Sequence, residues 1–266
     1  MSALTLVVSI GIAVSAFCWI ASLLTKDTSW VDRIWSIAPV CYVWVFAAHA
    51  GLADARLTVM AVLVTLWGAR LTFNFARKGG YSGTEDYRWA VLRGRMRPAA
   101  FQAFNLFFIV IFQNLLLVLI TLPALTTLEH PRPFGVLDAI VAILFLLFLA
   151  GETIADQQQW NFHRRKAERA AKGEAPEAQF LTGGLFRVSR HPNFFFEQAQ
   201  WWMIAVFGIL ALGGIPWTVI GAFLLSLLFI GSTFFTESIT RSKHPEYAEY
   251  QARVSPIIPW FPRVRA

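Results

Sequence analysis

The chain has 266 residues, of which 56% are hydrophobic, 15% aromatic and only 15% charged, whereas soluble domains run near about 45–50% apolar and about 25% charged. Seventeen Gly, 12 Pro and 2 Cys are too few for a collagen-like, disordered or disulfide-scaffold protein, and the apolar residues form long blocks instead of spaced heptads, which excludes a coiled coil. With a mean hydropathy of +0.54 the composition is that of an integral membrane protein. The net charge of +7 would suggest nucleic acid in a soluble chain; here the basic residues fall between apolar blocks, so no nucleic-acid partner is expected.

Seven stretches approach the about 20 residues a helix needs to cross a bilayer, at 3–24, 34–52, 57–75, 104–125, 134–154, 199–212 and 216–235. The sixth reaches spanning length only if its helix starts at Pro192. The N-terminal block has neither a basic n-region nor a small-residue cleavage site, so a retained helix is expected instead of a signal peptide. In a seven-span chain Lys and Arg divide twenty to two between the sides, with Arg70 inside a helix. Segments 25–33, 76–103, 155–198 and the tail after Phe235 carry the twenty; Arg56 and Arg132 are the two. The positive-inside rule then places the N-terminus outside and the C-terminus in the cytoplasm. The expected fold is all-α and polytopic, with seven transmembrane helices and cytoplasmic loops covering the site, in one membrane-embedded domain over 1–266. Cys18 and Cys41 lie in spans and argue for no disulfide or metal. No zinc spacing, Walker loop, GxSxG or HExxH occurs, so no metal, serine hydrolase or metalloprotease is expected.

Polar groups inside spans are costly and mark candidate sites. Arg70, Asn74, Arg77 and Lys78 share one face at the end of the third span; snorkelling to lipid phosphates accounts for Arg77 and Lys78, while the deeper Arg70 suits a ligand. Glu152, Asp156, Gln159 and His163 share a face at the end of the fifth. Carboxylates four residues apart repel, so Glu152 and Asp156 need partners, either Arg70 or loop arginines, or a ligand on Asp156. In the second loop, Tyr87 sits between acids and Arg88 as a candidate proton donor or an interfacial aromatic. Asp32 lies at the mouth of the second span, as a reactive acid or a helix cap.

The segment Thr182-Gly-Gly-Leu-Phe-Arg-Val-Ser-Arg-His-Pro-Asn-Phe-Phe-Phe-Glu197 is the most informative. Gly183-Gly184 permits a tight turn, and His191, restricted by Pro192, suits a helix entry whose free N–H groups favour an anion such as a pyrophosphate. Asn193 and Glu197 then share a face with Gln200 and Trp201, an amide and a carboxylate beside an aromatic plane, which suits a heteroaromatic ligand. The alternative is a capped helix entry with Glu197 paired to Arg190. In the tail, Glu237 and Arg241 form an i, i+4 pair, and the stretch from His244 through Pro259 reads as an amphipathic strip returning to the membrane or a lid.

Through Gly183–Glu197 the chain resembles the steroid 5α-reductase family, closest to its bacterial branch of small seven-span proteins. Supporting matches are Leu66-Trp-Gly-Ala-Arg70, Glu85-Asp-Tyr-Arg-Trp89, Asp156-Gln157 and Tyr250 with Ile257-Ile-Pro259. The resemblance implies NADPH-dependent reduction of a carbon–carbon double bond conjugated to a ketone. It assigns the nicotinamide carboxamide to Asn193 and Glu197. Further dinucleotide contacts fall to Arg70 and Asp156; Asn74, His191 and Tyr250 are additional cofactor candidates. Arg190, His163 and Arg164 are candidates for the phosphates. The animal enzymes carry a catalytic tyrosine where this chain has Trp67, and a second-helix glutamate for which Asp32 is the nearest acid; Tyr87 with Asp32 or Glu85 would replace that pair. The expected chemistry is hydride transfer to the β-carbon of an enone, with an O–H donor at the ketone oxygen. The substrate is apolar and steroid-like, entering from the bilayer among membrane lipids. A monomer in a bacterial inner membrane, its site facing the cytoplasm, completes the expectation. The alternatives are an S-adenosylmethionine-dependent membrane methyltransferase of the isoprenylcysteine or phospholipid type, which shares an Arg-His-Pro-x-x-x-x-Glu-like segment, and a non-enzymatic lipid-binding protein.

Overall fold

The computed structural model describes residues 1–263; Arg265, counted with the basic tail, lies outside them. Among the described residues there is no strand, and seven segments are long and apolar enough to cross a membrane: Ala3–Thr25, Trp30–His49, Ala55–Arg77, Pro98–Glu129, Val136–Ala171, Pro192–Leu212 and Trp217–Lys243. The all-α, seven-span reading holds.

The helices are α1 (Ala3–Thr25), α2 (Trp30–Trp35), α3 (Ala38–His49), α4 (Ala55–Arg77), α5 (Tyr87–Arg95), α6 (Pro98–Phe104), α7 (Gln113–Leu119), α8 (Pro123–Glu129), α9 (Val136–Ala171), α10 (Pro192–Leu212), α11 (Ile220–Lys243) and α12 (Tyr247–Arg253). Their ends follow local chemistry. Ser2, Asp54 and Asp86 cap α1, α4 and α5 by accepting from the backbone N–H of Thr5, Leu57 and Arg88, satisfying donors that the first turn cannot pair. Proline, which lacks an N–H, stands at the start of α3, α6, α8 and α10, where none is needed.

Three expected boundaries are corrected. The second span begins at Trp30 and breaks between α2 and α3, just before Pro39. The fourth is a composite: a π-helix over Asn105–Phe112 joins α6 to α7, and Pro123 starts α8 after a turn. The fifth helix runs 36 residues to Ala171, so the first part of the expected loop 155–198 is helical. Residues 155–171 are rich in Ala, Gln, Lys and Arg, strong helix formers, and neither Gly nor Pro intervenes before Gly173, whose φ is +73°. The sixth helix does start at Pro192.

The chain forms two compact units, Met1–Leu144 with Trp201–Leu225, and Phe145–Gln200 with Ser226–Ala266. In the first, α4 packs on the break between α2 and α3 so closely that a Cβ on Gly68 would lie 2.5 Å from the Ser36 carbonyl oxygen. At the other end of α4, Arg56 donates from Nε and Nη2 to both oxygens of Asp138, at 2.6 and 2.8 Å, with both side chains 4% exposed. Gly135 N–H also donates to Asp138. Arg56, counted above as a marker of the outer side, is thus held in a buried ion pair. The second unit, built from the rest of α9, the first turns of α10, most of α11 and α12, carries the site described below.

Removing one member of a buried pair strands the other charge, at a cost of about 3–5 kcal/mol, whereas replacing both by apolar groups is often neutral. Asp138→Asn is therefore expected to lower the thermal unfolding midpoint of the detergent-solubilised protein sharply. Arg56→Met with Asp138→Leu is expected to recover most of the loss.

Candidate functional site

The site segment starts at a 3₁₀ turn, Gly184–Arg187. Gly184 has φ +63°, a conformation that glycine adopts without a steric penalty, and Leu185 N–H donates to Gln158 Oε1 of α9 at 2.9 Å. The next four residues are laced to the C-terminal tail through the main chain. Arg190 N–H donates to Ser255 O at 2.8 Å, His191 N–H to Pro256 O at 3.1 Å, and Trp260 N–H to Val188 O at 2.9 Å. The Ser189 hydroxyl donates to Ile257 O at 2.6 Å.

Side chains close the same lock around Glu237 of α11. Arg190 donates to both of its oxygens, at 2.6 and 3.0 Å, and from Nη1 to the carbonyls of Gln251 and Val254. His191 Nε2 lies 3.0 Å from Glu237 Oε1, and Gln251 donates to Oε2 at 2.7 Å. The side chains of Arg190 and Glu237 are 9% and 6% exposed. The Tyr247 hydroxyl donates to Glu237 at 3.4 Å, and that of Tyr250 donates to Phe186 O. Burial, and then the nearby Glu237 carboxylate, push both phenols above the usual tyrosine range, so both stay protonated donors at neutral pH.

Three candidate residues lie in this brace. Arg190 directs its guanidinium at Glu237 and two carbonyls and so braces the tail. His191 and Tyr250 belong to the same brace. Glu237 pairs with Arg190 and not with Arg241 as its spacing suggests. The lock was invisible in the sequence, since Arg190 and Ser189 meet partners 47 to 68 residues away.

Asn193 and Glu197 follow on α10. Asn193 is half-buried and Glu197 is buried one turn further on. Gln200 is wholly buried and donates to Glu152 Oε2 of α9 at 2.6 Å and to Phe196 O at 3.1 Å, while its own Oε1 is buried without a hydrogen-bond partner. Glu152 and Asp156 are both buried, and α9 lies against α10 so tightly that a Cβ on Gly151 would meet the Phe196 ring at 2.5 Å. The Gln200 amide is one of the groups that meet Glu152. Further along α9, His163 and Arg164 are exposed, and Arg164 lies 3.5 Å from Glu168. The second unit thus holds three buried carboxylates and two amides on facing turns of α9 and α10, an acceptor-rich surface that suits amide N–H and hydroxyl donors.

The remaining candidates belong to the first unit. On α4, Arg77 Nε donates to Oδ1 of the buried Asn74 at 2.9 Å, and Arg70 is half-buried. Trp89 Nε1 donates to Asp32 at 3.1 Å. Glu85 accepts from Thr28 N–H and Oγ1 and from Arg93 at 2.6 Å. Tyr87 opens α5 and is 51% exposed. Asp32 and the 85–89 segment are therefore brought together, with Glu85 acting as a loop clamp. Burial raises the Glu85 carboxyl, but the bonds from Arg93 and Thr28 outweigh it and hold it below the usual range.

Residues 18–254 match the model of a family described as protein of unknown function (DUF1295). The chain belongs to the DUF1295 family. That family is part of the steroid 5α-reductase-like superfamily, and the DUF1295 match takes in every candidate from Asp32 to Tyr250. The chain is also similar to an uncharacterized protein of Schizosaccharomyces pombe, 39% identical over 258 residues, covering 91% of this chain and 75% of the other. No solved structure matches.

Two outcomes follow. Glu237→Gln is expected to cost about 3–5 kcal/mol by stranding Arg190, seen as faster tryptic release of the tail after Arg253; Arg190→Lys, lacking the planar fork, fails to restore the wild-type rate. Because the Glu85 carboxyl is lowered in the folded state, the stability it supplies is complete above its unfolded value of about 4.3 and is lost as the pH falls through its folded value. An acid unfolding titration of Glu85→Gln is expected to lack that part of the wild-type decline.

Proposed function

We propose that this protein is a membrane-embedded, NADPH-dependent reductase of a carbon–carbon double bond conjugated to a ketone, acting on an apolar, steroid-like substrate that enters from the bilayer. The observation that carries the reading is the buried acceptor surface of α9 and α10, Glu152, Asp156, Glu197 and Gln200 with half-buried Asn193 above it. A carboxamide needs acceptors for its N–H₂ and a donor for its oxygen; Glu197 supplies the first and the Asn193 amide the second. The unpaired Gln200 Oε1 is an acceptor still to be satisfied, and Asp156 suits ribose hydroxyls.

When bound, NADPH supplies the hydride. The chain's part is to orient the nicotinamide through α10, exclude water through the tail brace, and present an O–H donor to the ketone oxygen as charge develops there. Tyr87 and Asp32 are the candidates for that donor; the clamp role of Glu85 leaves it the weakest of the three. Arg70 and Asn74 are further cofactor candidates by resemblance. The twenty-to-two division of basic residues supports an N-out, C-in orientation with the site facing the cytoplasm, in a bacterial inner membrane and as a monomer.

The commitment of Arg190 to Glu237 favours a second reading, since it removes one cation from those counted toward a 2′-phosphate. A membrane methyltransferase binding S-adenosylmethionine needs no such site.

Mass spectrometry of the nucleotide retained on purification separates the two. NADPH is expected, and Asn193→Ala is expected to weaken its binding about tenfold, the worth of one well-made hydrogen bond to a buried group. Retained S-adenosylmethionine, or full NADPH affinity in Asn193→Ala, overturns the reductase reading.

A further inference from the structure

The first unit contains a line of neutral polar side chains that the reductase reading does not use. It runs along α1. Gly11 lies beside the Tyr42 hydroxyl and Val118, where an added Cβ would come within 3.6 and 3.0 Å of them. Two turns on, the Cys18 thiol neighbours the Asn114 amide, and one turn further Ser22 accepts from Asn105 at 3.1 Å. Tyr42 is 0% exposed and Asn105 and Asn114 are 1% exposed.

The hydrogen-bond directions here are determined by the partners. Asn114 donates from Nδ2 to Val110 O at 2.8 Å, and a carbonyl can accept from nothing but the amide N–H₂. The Ser22 hydroxyl spends its proton on Trp19 O, so it accepts from Asn105 Nδ2. The amide oxygens of Asn105 and Asn114 therefore face the interior as acceptors, and these two atoms and the Tyr42 hydroxyl are buried without a hydrogen-bond partner. Such atoms are rare in folded proteins, because each carries an uncompensated desolvation cost.

The backbone is specially shaped to put them there. Asn105 and Asn114 are nine residues apart, two and a half turns of an α-helix, which would place them on opposite faces. The π-helix over Asn105–Phe112, with its wider turn, brings both to the side facing α1. Segments of this kind recur at functional sites.

We propose that this seam takes uncharged hydroxyl groups at its three open atoms, each hydroxyl donating to an asparagine oxygen or pairing with Tyr42. The missing partners must be donors, because two of the three open atoms only accept. They must be uncharged, because the surroundings are Val31, Ile109, Val110 and Val118, all buried, and an ion there would be strongly disfavoured. The hydroxyl belongs to an apolar alcohol entering from the bilayer or to bound water. The inference does not rest on the reductase reading.

The test uses the full chain in detergent and three probes of one skeleton, cholesterol, cholest-4-en-3-one and cholestane. If the source is an alcohol, cholesterol binds best, cholestane least, and Tyr42→Phe and Asn114→Leu each weaken cholesterol about tenfold. If the source is water, the probes show no such order, and hydroxyl-radical footprinting without sterol oxidises the buried Tyr42 and Cys18. Sterol binding that ignores the oxygen, together with unoxidised Tyr42 and Cys18, overturns the proposal. A raised thermal midpoint in Tyr42→Phe or Asn114→Leu overturns it equally, since it marks a dry seam. NADPH retention by Tyr42→Phe is read in parallel and reports on the reductase reading separately.

Discussion

A single carboxylate, Glu237, sets the architecture of the second unit. Buried on α11, it must be matched by charge and hydrogen bonds or not be ionised at all, and Arg190, His191, Gln251 and Tyr247 converge to match it. Meeting that demand locks the approach to α10 against the C-terminal tail. The lock determines where Pro192 can start the helix, and hence which turns of α10 carry Asn193, Glu197 and Gln200. From there the Gln200–Glu152 bond ties α10 to α9. The cost of one unpaired charge thus propagates, through four contacts, into the position of the candidate cofactor surface.

The first unit uses its charges in the same way. Arg56 with Asp138, and Glu85 with Arg93 and Thr28, fasten helix ends and loops. Along α1 and the π-helix the polar side chains are neutral, and the backbone adapts to them, as the π-helix does for Asn105 and Asn114. A membrane-embedded fold offers no water to an unpaired group, so ionic residues work best at the ends of spans and neutral ones within them. That division separates residues that hold the molecule together from those available to a ligand. Arg190 and Glu85, both chemically suited to a site, fall on the structural side.

The legible parts of the sequence were those governed by neighbours in the chain. Hydropathy blocks mark seven spans, Pro192 marks the entry to α10, and helix formers through residue 171 would have extended α9 had they been weighed against the expected loop. The acids Glu152 and Asp156 were recognisable as needing partners, because four-residue spacing puts them on one face. The Gln200 contact was not recognisable. Gln200 reaches Glu152 across 48 residues, and nothing in either segment marks the other.

By itself the sequence determined the membrane class, the seven spans and the start of the helix that carries Asn193, all of which follow from local composition and backbone restriction. Tertiary structure decided which polar residues are spent. Glu237 beside Arg190 becomes visible only in the fold, and a wider helical turn brings Asn105 and Asn114 to one side although nine-residue α-helical spacing would separate them. The reason is physical: hydrophobic transfer and helix formation depend on stretches of chain, whereas satisfying a buried charge or amide depends on whatever group distant segments bring within three ångströms or so.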